Sequence, residues 1–444
     1  MLLPSAQSRE AVLVVTYQFP PSGGVGVSRC LGYVKYLPQQ GCGVSVLTAR
    51  KPATAWYDPE LVKQVPPETH VFRTFNPEIS YALRDRIWKG ISSSSGKEHQ
   101  AASSGNWKRV PMELIQRVFC PDVQVTWVPF AIRAMRRIIA KNGITAVLVN
   151  LPPYSTLHIA AAVKRYFPGV KLILDFRDEW IDNHALSDSA ASRYKVDMAH
   201  RLEREAVEQA DYVAAVTRSQ LQQIRRRYPE QPDSKFIYVP NGYDPDLYRG
   251  FTRQPHPPGK MIVTYFGTVY AHGAYRPVAD YLDALEKLPE NVRNAIETRF
   301  IGRITEEAER FFQGRTSPIR RLGFMSQSEG LRYLADSDYH LMPAGNPTTH
   351  GGKLFDYLAT GIPVLALGSE RSEIAQVLRE TRSGICVDPA DPAALQKEIL
   401  AAYRRITGGE PAAEPDWEAI GFYRRPNLVE LMAKLTGLGL YRQQ

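Results

Sequence analysis

Cysteine is scarce in this sequence and is never clustered. The 444 residues include four cysteines, Cys30, Cys42, Cys120 and Cys386, and no two of them form a C-x-x-C pair. Cysteine zinc sites and thiol redox motifs need such closely spaced pairs. The sequence therefore predicts no cysteine metal site, and isolated thiols of this kind are typical of a reducing compartment.

Long apolar runs are also missing. No stretch of about 18 apolar residues is present, and Arg9 and Glu10 interrupt the segment that a signal peptide would keep apolar. We therefore expect a cytoplasmic protein without a membrane-spanning helix, either free or at the inner face of the membrane.

Acidic residues are too few to balance the basic ones. The chain has 55 Lys and Arg against 46 Asp and Glu, which gives a net charge of +9. Such an excess favours a polyanionic partner. Because no nucleic-acid-binding motif accompanies the charge, we expect phosphorylated substrates or an acidic membrane surface, and no nucleic acid.

A complete dinucleotide-binding fingerprint is absent. The first predicted strand leads into Gly23-Gly24-Val25-Gly26, but Arg29 stands where the third glycine of G-x-G-x-x-G belongs. The second predicted strand ends at Thr48 without the carboxylate that would hold a ribose. An NAD(P)-dependent reductase is therefore the weaker alternative. The glycines still let the backbone approach a ligand, and the helix start that follows attracts phosphate.

Two series of β-branched segments alternate with helical patterns, which is typical of parallel sheets covered by helices. A chain of this length is too long for one core, and the Pro- and Gly-rich stretch from Gln254 to Lys260 separates the series. We predict an α/β fold of two Rossmann-like domains facing each other across a cleft. The domains would comprise residues 1–253 and 254–418, and a closing helix within 419–444 would return to the first domain.

The predicted strands are Ala11–Tyr17, Val44–Thr48, Ile144–Val149, Lys171–Phe176, Tyr212–Val216, Phe236–Val239, Met261–Phe266, Arg299–Ile301, Arg320–Phe324, Tyr339–Met342, Pro363–Leu367 and Ile385–Val387. Residues 91–107, rich in serine and small residues, fit neither series. They are predicted to form a mobile insertion, either a plain surface loop or one that covers a substrate.

Five landmarks follow one another along the chain: Leu13–Tyr17 with Phe19–Gly24 and Arg29, Pro152–Ser155, Asp175–Trp180, Val239–Asp244, and Lys353–Pro363. In content and order they resemble the bacterial group 1 glycosyltransferases, which have two Rossmann-like domains in the GT-B arrangement. The resemblance covers nearly the whole chain. It implies a transferase that moves a sugar from a nucleoside diphosphate sugar, such as a UDP-sugar, to a glycan or lipid-linked acceptor in polysaccharide or glycoconjugate synthesis. It also implies retention of the anomeric configuration.

The resemblance places the nucleotide diphosphate at the start of the helix that contains Phe355. Glycines before that helix leave backbone N–H groups and the helix dipole available to phosphate, and Lys353 adds a charge that would stabilise the leaving group. The residues predicted to bind the donor are Gly23, Gly24, Gly267, Thr268, Phe324, Met325, Thr348, His350, Gly351, Gly352, Lys353 and Asp356. The alternative is an ordinary Gly-rich turn with a solvated lysine.

The chain departs from its relatives at charged positions. Relatives carry two glutamates separated by seven residues, of which the second holds the ribose and the first contacts the sugar; here they correspond to Asp356 and Thr348. An arginine and a lysine that neutralise phosphate in many relatives correspond to Thr268 and Gly273. These departures motivate a second hypothesis, a catalytically silent GT-B subunit that binds nucleotide or a partner enzyme.

Polar residues end the predicted strand Lys171–Phe176. Asp175 and Arg177 are candidate acceptor contacts because ligands of open α/β sheets bind at the carboxyl ends of strands, and Asp178 or His184 is the candidate general base. The alternative is an internal corner in which Arg177 forms salt bridges with both aspartates. No cofactor and no metal is predicted to be needed, and the D-x-D triplet Asp244–Asp246 is interpreted as coincidence.

Basic residues at helical spacing follow Trp127 and Phe130, namely Arg133, Arg136, Arg137 and Lys141. With Arg84, Arg86, Trp88 and Lys89 they indicate either a peripheral membrane contact that presents a lipid-linked acceptor or an ordinary solvated face.

Overall fold

A computed structural model describes residues 10–52, 54, 57–77, 119–181, 190–254, 258–271, 273–410 and 413–439. These residues form two compact units. The first contains the described residues of Met1–Val216, Gln220–Val239 and Val429–Gln444, and the second contains those of Thr217–Ser219 and Pro240–Leu428. The insertion predicted at 91–107 lies outside the described residues.

The first unit is built on a parallel sheet of seven strands in the order β3-β2-β1-β4-β5-β6-β7. The strands are β1 Ala11–Val15, β2 Gly43–Ala49, β3 His70–Thr74, β4 Ala146–Leu151, β5 Lys171–Phe176, β6 Tyr212–Ala215 and β7 Phe236–Tyr238. Every residue of β4 is buried, as expected for a central strand covered on both faces. The strand order reverses between β1 and β4, which is where open α/β sheets bind ligands.

Helices cover this sheet, and their sequences explain their orientation. They are α1 Val25–Tyr36, α2 Val128–Asn142, α3 Leu157–Tyr166, α4 Ala190–Gln209 and α5 Arg218–Arg227, the last of which begins with residues of the second unit. Helix α2 buries Ala131, Met135 and Ile138 at helical spacing while its arginines stay outside. It ends at Gly143, whose positive φ of 60° suits glycine as a helix terminator.

The second unit has a parallel sheet of six strands in the order β10-β9-β8-β11-β12-β13. Its strands are β8 Met261–Phe266, β9 Ile296–Ile301, β10 Ile319–Gly323, β11 Tyr339–Ala344, β12 Val364–Gly368 and β13 Gly384–Val387. Its helices are α6 Arg276–Glu286, α7 Glu290–Ala295, α8 Gln327–Ala335, α9 Lys353–Thr360, α10 Glu373–Thr381, α11 Pro392–Thr407 and α12 Trp417–Phe422. Here the order reverses between β8 and β11.

The two sheets confirm the predicted pair of Rossmann-like α/β domains. Each of the twelve predicted strands overlaps an observed one, but the prediction missed β3. This strand lies at the sheet edge and none of its residues is fully buried, so it lacks the continuous apolar run that marks the central strands. The last helix, α13 Arg425–Thr436, ends in the first unit, where the Lys171 ammonium donates to the Thr436 carbonyl at 2.7 Å.

A buried ion pair joins α1 to the strands of the first unit. The Arg29 guanidinium donates to the Asp175 carboxylate at 2.6 Å and to the Val239 carbonyl at 2.9 Å. Tyr33 and Asn150 donate to the same carboxylate at 3.1 and 2.8 Å. Although burial alone would lower the pKa of Arg29, the Asp175 carboxylate raises it above its usual range. Removal of one partner of a buried ion pair leaves an uncompensated charge and is strongly destabilising.

We expect Asp175→Asn to destabilise the first unit by about 3–5 kcal/mol, because it leaves the buried Arg29 charge without a counter-ion. Hydrogen–deuterium exchange of β5 amides measures this locally. The matched control is Glu60→Gln, which removes one partner of the exposed Lys63–Glu60 pair and should cost less than about 1 kcal/mol. Equal exchange in both variants would show that the first unit does not depend on the Arg29–Asp175 pair.

Candidate functional site

The carboxyl ends of β8 and β11 bring two loops together in the second unit. The first loop contains Gly267 and Thr268, and the second leads into α9, which begins at Lys353. A Cβ atom on Gly267, whose φ is 149°, would lie 2.6 Å from the Lys353 ammonium nitrogen. The structure therefore places Gly267, Thr268 and Lys353 side by side, and the positive φ at position 267 favours glycine.

The start of α9 is open to an anion. Gly351 has a positive φ of 59°, and His350 is buried with its ring edge against Phe355 at 4.9 Å. In this described stretch no side chain caps the helix at Gly352. The Phe355 N–H donates to the Gly352 carbonyl at 3.2 Å. The amides that precede it in the first turn have no acceptor within their own helix, so they can bind a phosphate group.

Lys353 is held by aromatic residues. Its ammonium donates to the Tyr265 hydroxyl at 2.6 Å and lies 4.4 Å from the Tyr265 ring centroid and 5.6 Å from that of Tyr275. Burial lowers the pKa of Lys353 to about 7. Among the described residues none forms an ion pair with it within 4.0 Å, so an anionic ligand would supply the missing counter-charge.

Asp356 lies one turn further along α9. It is half-buried, and burial raises the pKa of its carboxyl group. The Tyr248 hydroxyl donates to this carboxylate at 2.7 Å. Tyr248 ends a short 3-10 helix, Pro245–Tyr248, which Asp244 caps by accepting from the Asp246 N–H at 3.0 Å. The first aspartate of the D-x-D triplet is therefore a helix cap, and within the described ranges no cluster of three potential metal ligands occurs.

The remaining predicted donor residues of this unit lie in loops. The Thr348 N–H and hydroxyl both donate to the Asn346 side-chain oxygen, at 3.0 and 2.9 Å, so Thr348 stabilises its own turn. Phe324 follows β10 and is 67% exposed, which leaves a flat apolar face at the carboxyl edge of the sheet. Met325 beside it is half-buried.

In the first unit, Gly23 and Gly24 precede α1 at the point where the strand order reverses. Arg177 lies at the same place: a Cβ atom on Gly26 would be only 1.8 Å from its guanidinium, which donates to the Pro152 carbonyl at 2.8 Å. The buried Nε of Arg177 has no hydrogen-bond partner within the described part of the chain. Arg177 thus brings a cation to the start of a helix, an arrangement that suits an anionic ligand.

The structure gives the neighbouring aspartates other surroundings than we expected. Asp175, predicted to contact an acceptor, is fully buried and its carboxylate accepts from Arg29, so in this conformation it supports the fold. The alternative of Arg177 salt-bridged to both aspartates is also wrong, because the partner of Asp175 is Arg29. Asp178 is exposed and remains a candidate base, whereas His184 lies outside the described residues.

The predicted cationic surface belongs to the first unit. Arg133, Arg136, Arg137 and Lys141 are exposed on α2, and Phe130 is 39% exposed, whereas Trp127 is part of the core. A groove of about 830 Å³ runs beside this face, and helices α2, α3 and α4 line it. Its lining includes the apolar residues Val128, Ile132 and Ala161 and the polar residues Lys164, Arg165 and Tyr166. The predicted contributors Arg84, Arg86, Trp88 and Lys89 lie outside the described residues. None of the helices in the described ranges is long and apolar enough to cross a membrane.

Sequence reasoning missed two tyrosines that hold the predicted donor residues. Tyr265 contacts Lys353 and Tyr248 contacts Asp356. Strand β8 contains two hydroxyl side chains, Thr264 and Tyr265. Because a buried hydroxyl needs a partner, this was the available signal for Tyr265. No pattern in the sequence indicated Tyr248.

Two family models match the chain. The model of a glycosyl transferase 4-like domain matches residues 23–242, and the model of glycosyl transferases group 1 matches residues 260–405. The matches fall in the first and second halves of the chain, in the order of the predicted domains. No curated protein sequence matches this chain.

Solved glycosyltransferase structures share the fold at low sequence identity. Sucrose-phosphate synthase from Thermosynechococcus elongatus has a TM-score of 0.61 at 14% identity, with 96% of this chain and 98% of that chain covered. HepE from Anabaena, in complex with UDP and glucose, has a TM-score of 0.59 at 13% identity, with 96% and 99% covered. The UDP-forming α,α-trehalose-phosphate synthase from Burkholderia xenovorans has a TM-score of 0.62 at 12% identity, with 97% and 99% covered. The chain therefore belongs to the group 1 glycosyltransferases and is a transferase of the GT-B fold.

Proposed function

We propose that this enzyme transfers a sugar from a nucleoside diphosphate sugar whose diphosphate binds at the start of α9 in the second unit. The observation that carries the proposal is the Lys353 ammonium, which lies beside Gly267 and an uncapped helix start and has no ion-pair partner among the described residues. UDP is the proposed nucleotide. Its support is that HepE binds UDP and that the trehalose-phosphate synthase is UDP-forming.

The proposed chemistry is electrostatic. Cleavage of the bond between the anomeric carbon and the phosphate oxygen leaves negative charge on the diphosphate, which the α9 amides and Lys353 would stabilise without a covalent step. Asp356 would accept hydrogen bonds from the ribose hydroxyls, as a carboxylate can from a vicinal diol. Phe324 and Met325 would contact the base. The proposal includes retention of configuration and needs neither a metal nor another cofactor.

The acceptor side is proposed to lie in the first unit. Arg177 would bind an anionic group of the acceptor, because its guanidinium and the start of α1 bring positive charge to one place. Asp178 is the proposed general base, since it is exposed at the carboxyl end of β5. A glycan or a lipid-linked sugar phosphate used in polysaccharide or glycoconjugate synthesis would fit this charge.

We further propose that α2 contacts an anionic membrane. The helix carries four exposed cations and Phe130, and its Val128 and Ile132 line a partly apolar groove. This combination of charge and apolar surface is what interfacial helices use. The contact would bring the enzyme to a lipid-linked acceptor at the inner face of the membrane.

Replacement of Lys353 by methionine tests the donor site. We expect Lys353→Met to weaken UDP binding at least about tenfold, because an uncompensated cation beside a diphosphate contributes at least a charge-assisted hydrogen bond. Calorimetric titration with UDP measures this, and Lys287→Met, which changes an exposed lysine of the same unit, is the control. Equal affinity in both variants would refute the placement. UDP binding without hydrolysis or transfer of any nucleotide sugar would favour the catalytically silent alternative that Thr348, Thr268 and Gly273 suggest.

Asp356 can be tested against the ribose directly. We expect Asp356→Asn to weaken binding of UDP several-fold but to have little effect on 2′,3′-dideoxy-UDP, because the analogue lacks the hydroxyls that the carboxylate would accept from. An equal loss for both ligands would mean that Asp356 acts on the fold of the site and does not hold the ribose.

Vesicle sedimentation tests the membrane contact. We expect the pair Arg133→Glu and Arg137→Glu to abolish binding to vesicles that contain anionic phosphatidylglycerol, since each basic residue near such a surface contributes about 1 kcal/mol. The control pair Lys397→Glu and Arg404→Glu changes exposed residues of α11 by the same net charge and should bind like the unchanged chain. Identical sedimentation of the two double variants would rule out α2 as the contact.

A further inference from the structure

The Tyr265 hydroxyl links Lys353 to the loop that follows β8. It donates to the Thr268 carbonyl at 2.7 Å and accepts from the Lys353 ammonium at 2.6 Å. A tyrosine hydroxyl has one proton. Because the hydroxyl donates this proton in its hydrogen bond to the Thr268 carbonyl, an oxygen lone pair faces Lys353. An acceptor in this position favours the charged form of the lysine.

Among the described residues, the other contacts of the Lys353 ammonium are with aromatic rings, which stabilise a cation less than a carboxylate would. The rings of Tyr265 and Tyr275 face the ammonium, and Tyr270 packs against Tyr275 with ring centroids 5.0 Å apart. The Tyr357 hydroxyl accepts from the Phe266 N–H. Asp356 belongs to the same helix but accepts from Tyr248. Burial in this aromatic surrounding lowers the pKa of Lys353 to about 7.

Space around the ammonium is also limited. A Cβ atom on Gly267 would lie 2.6 Å from the Lys353 nitrogen and 3.3 Å from the Tyr265 hydroxyl. The bare backbone of the loop therefore packs against both groups. The hydroxyl and the loop backbone thus contact the ammonium from two sides.

We propose that Tyr265 is a positioning residue for nucleotide binding: its hydroxyl fixes the Lys353 ammonium beside the Gly267–Thr268 loop and keeps it protonated for the diphosphate. The inference rests on the proposed function, because Lys353 must bind phosphate for Tyr265 to act through it. It adds a residue that would act on the nucleotide through the charge of Lys353. Thr268 and Gly273, where many relatives have basic residues, contribute no charge, which increases the dependence on Lys353.

A pH dependence follows from this arrangement. Bound diphosphate raises the pKa of Lys353. UDP affinity is therefore highest below the pKa that Lys353 has in the free protein, and it decreases as the pH rises through about 7. Tyr265→Phe keeps the ring but removes the acceptor, so it lowers the pKa of Lys353 further. If the decrease is about one unit, the affinity loss relative to the unchanged chain is less than about twofold at pH 5.5 and about tenfold at pH 8.

The experiment measures the ratio of UDP dissociation constants, Tyr265→Phe over the unchanged chain, at several pH values between 5.5 and 8.5. UDP also titrates in this range, but its ionisation is common to both proteins and cancels in the ratio. The control is Tyr281→Phe, which removes another buried hydroxyl of the unit, one that bonds to Thr298 at 3.1 Å. We expect a ratio that rises with pH for Tyr265→Phe and stays near one for the control.

A double substitution separates this inference from the function on which it rests. If Tyr265 acts through Lys353, adding Tyr265→Phe to Lys353→Met causes no further loss of UDP affinity. A loss of UDP affinity in Lys353→Met, together with a pH-independent ratio of UDP dissociation constants for Tyr265→Phe, would overturn the positioning role and leave the donor site intact. No loss on Lys353→Met would instead overturn the proposed donor site.

Discussion

All strand pairs in the two sheets are parallel, and this constraint determines where chemistry can occur. Parallel strands need crossover helices, so every strand in a sheet delivers its following loop to the same edge. Where the strand order reverses, between β1 and β4 and again between β8 and β11, the loops on either side diverge and leave a crevice. In the second unit the two loops are the glycine loop after β8 and the turn before α9. A lysine at the first position of α9 therefore lies beside the end of β8, although Gly267 and Lys353 are 86 positions apart in the chain.

Lys353 lies at this edge without a carboxylate partner among the described residues. A lysine already paired with a carboxylate would need to lose that partner before it could bind phosphate. Here Lys353 faces tyrosine rings and a hydroxyl, which hold the ammonium but leave its charge uncompensated within the described structure. The cost of burial appears as a pKa near 7. In the first unit the opposite solution is used for Arg29, whose charge is matched by Asp175, and there the pair supports the fold.

Much of this organisation could be predicted because it depends on local patterns. The buried strands are rich in apolar residues, and Gly267 and Gly351 have positive φ angles that suit glycine. Strand β3 could not be predicted in the same way, since an edge strand needs no continuous apolar run. The partners of the charged residues could not be predicted from the sequence either. Arg29 and Asp175 are 146 positions apart, and Tyr248 and Asp356 are 108 apart, so only the folded chain shows which partners each charged group has.

The proposed donor site requires a nucleotide diphosphate to bind against the first turn of α9, and a crystal structure of the chain with UDP would decide this. We expect the β-phosphate within about 3 Å of both the Lys353 ammonium and a backbone N–H of that turn. UDP bound elsewhere on the protein, with the Lys353 ammonium making no phosphate contact, would refute the site.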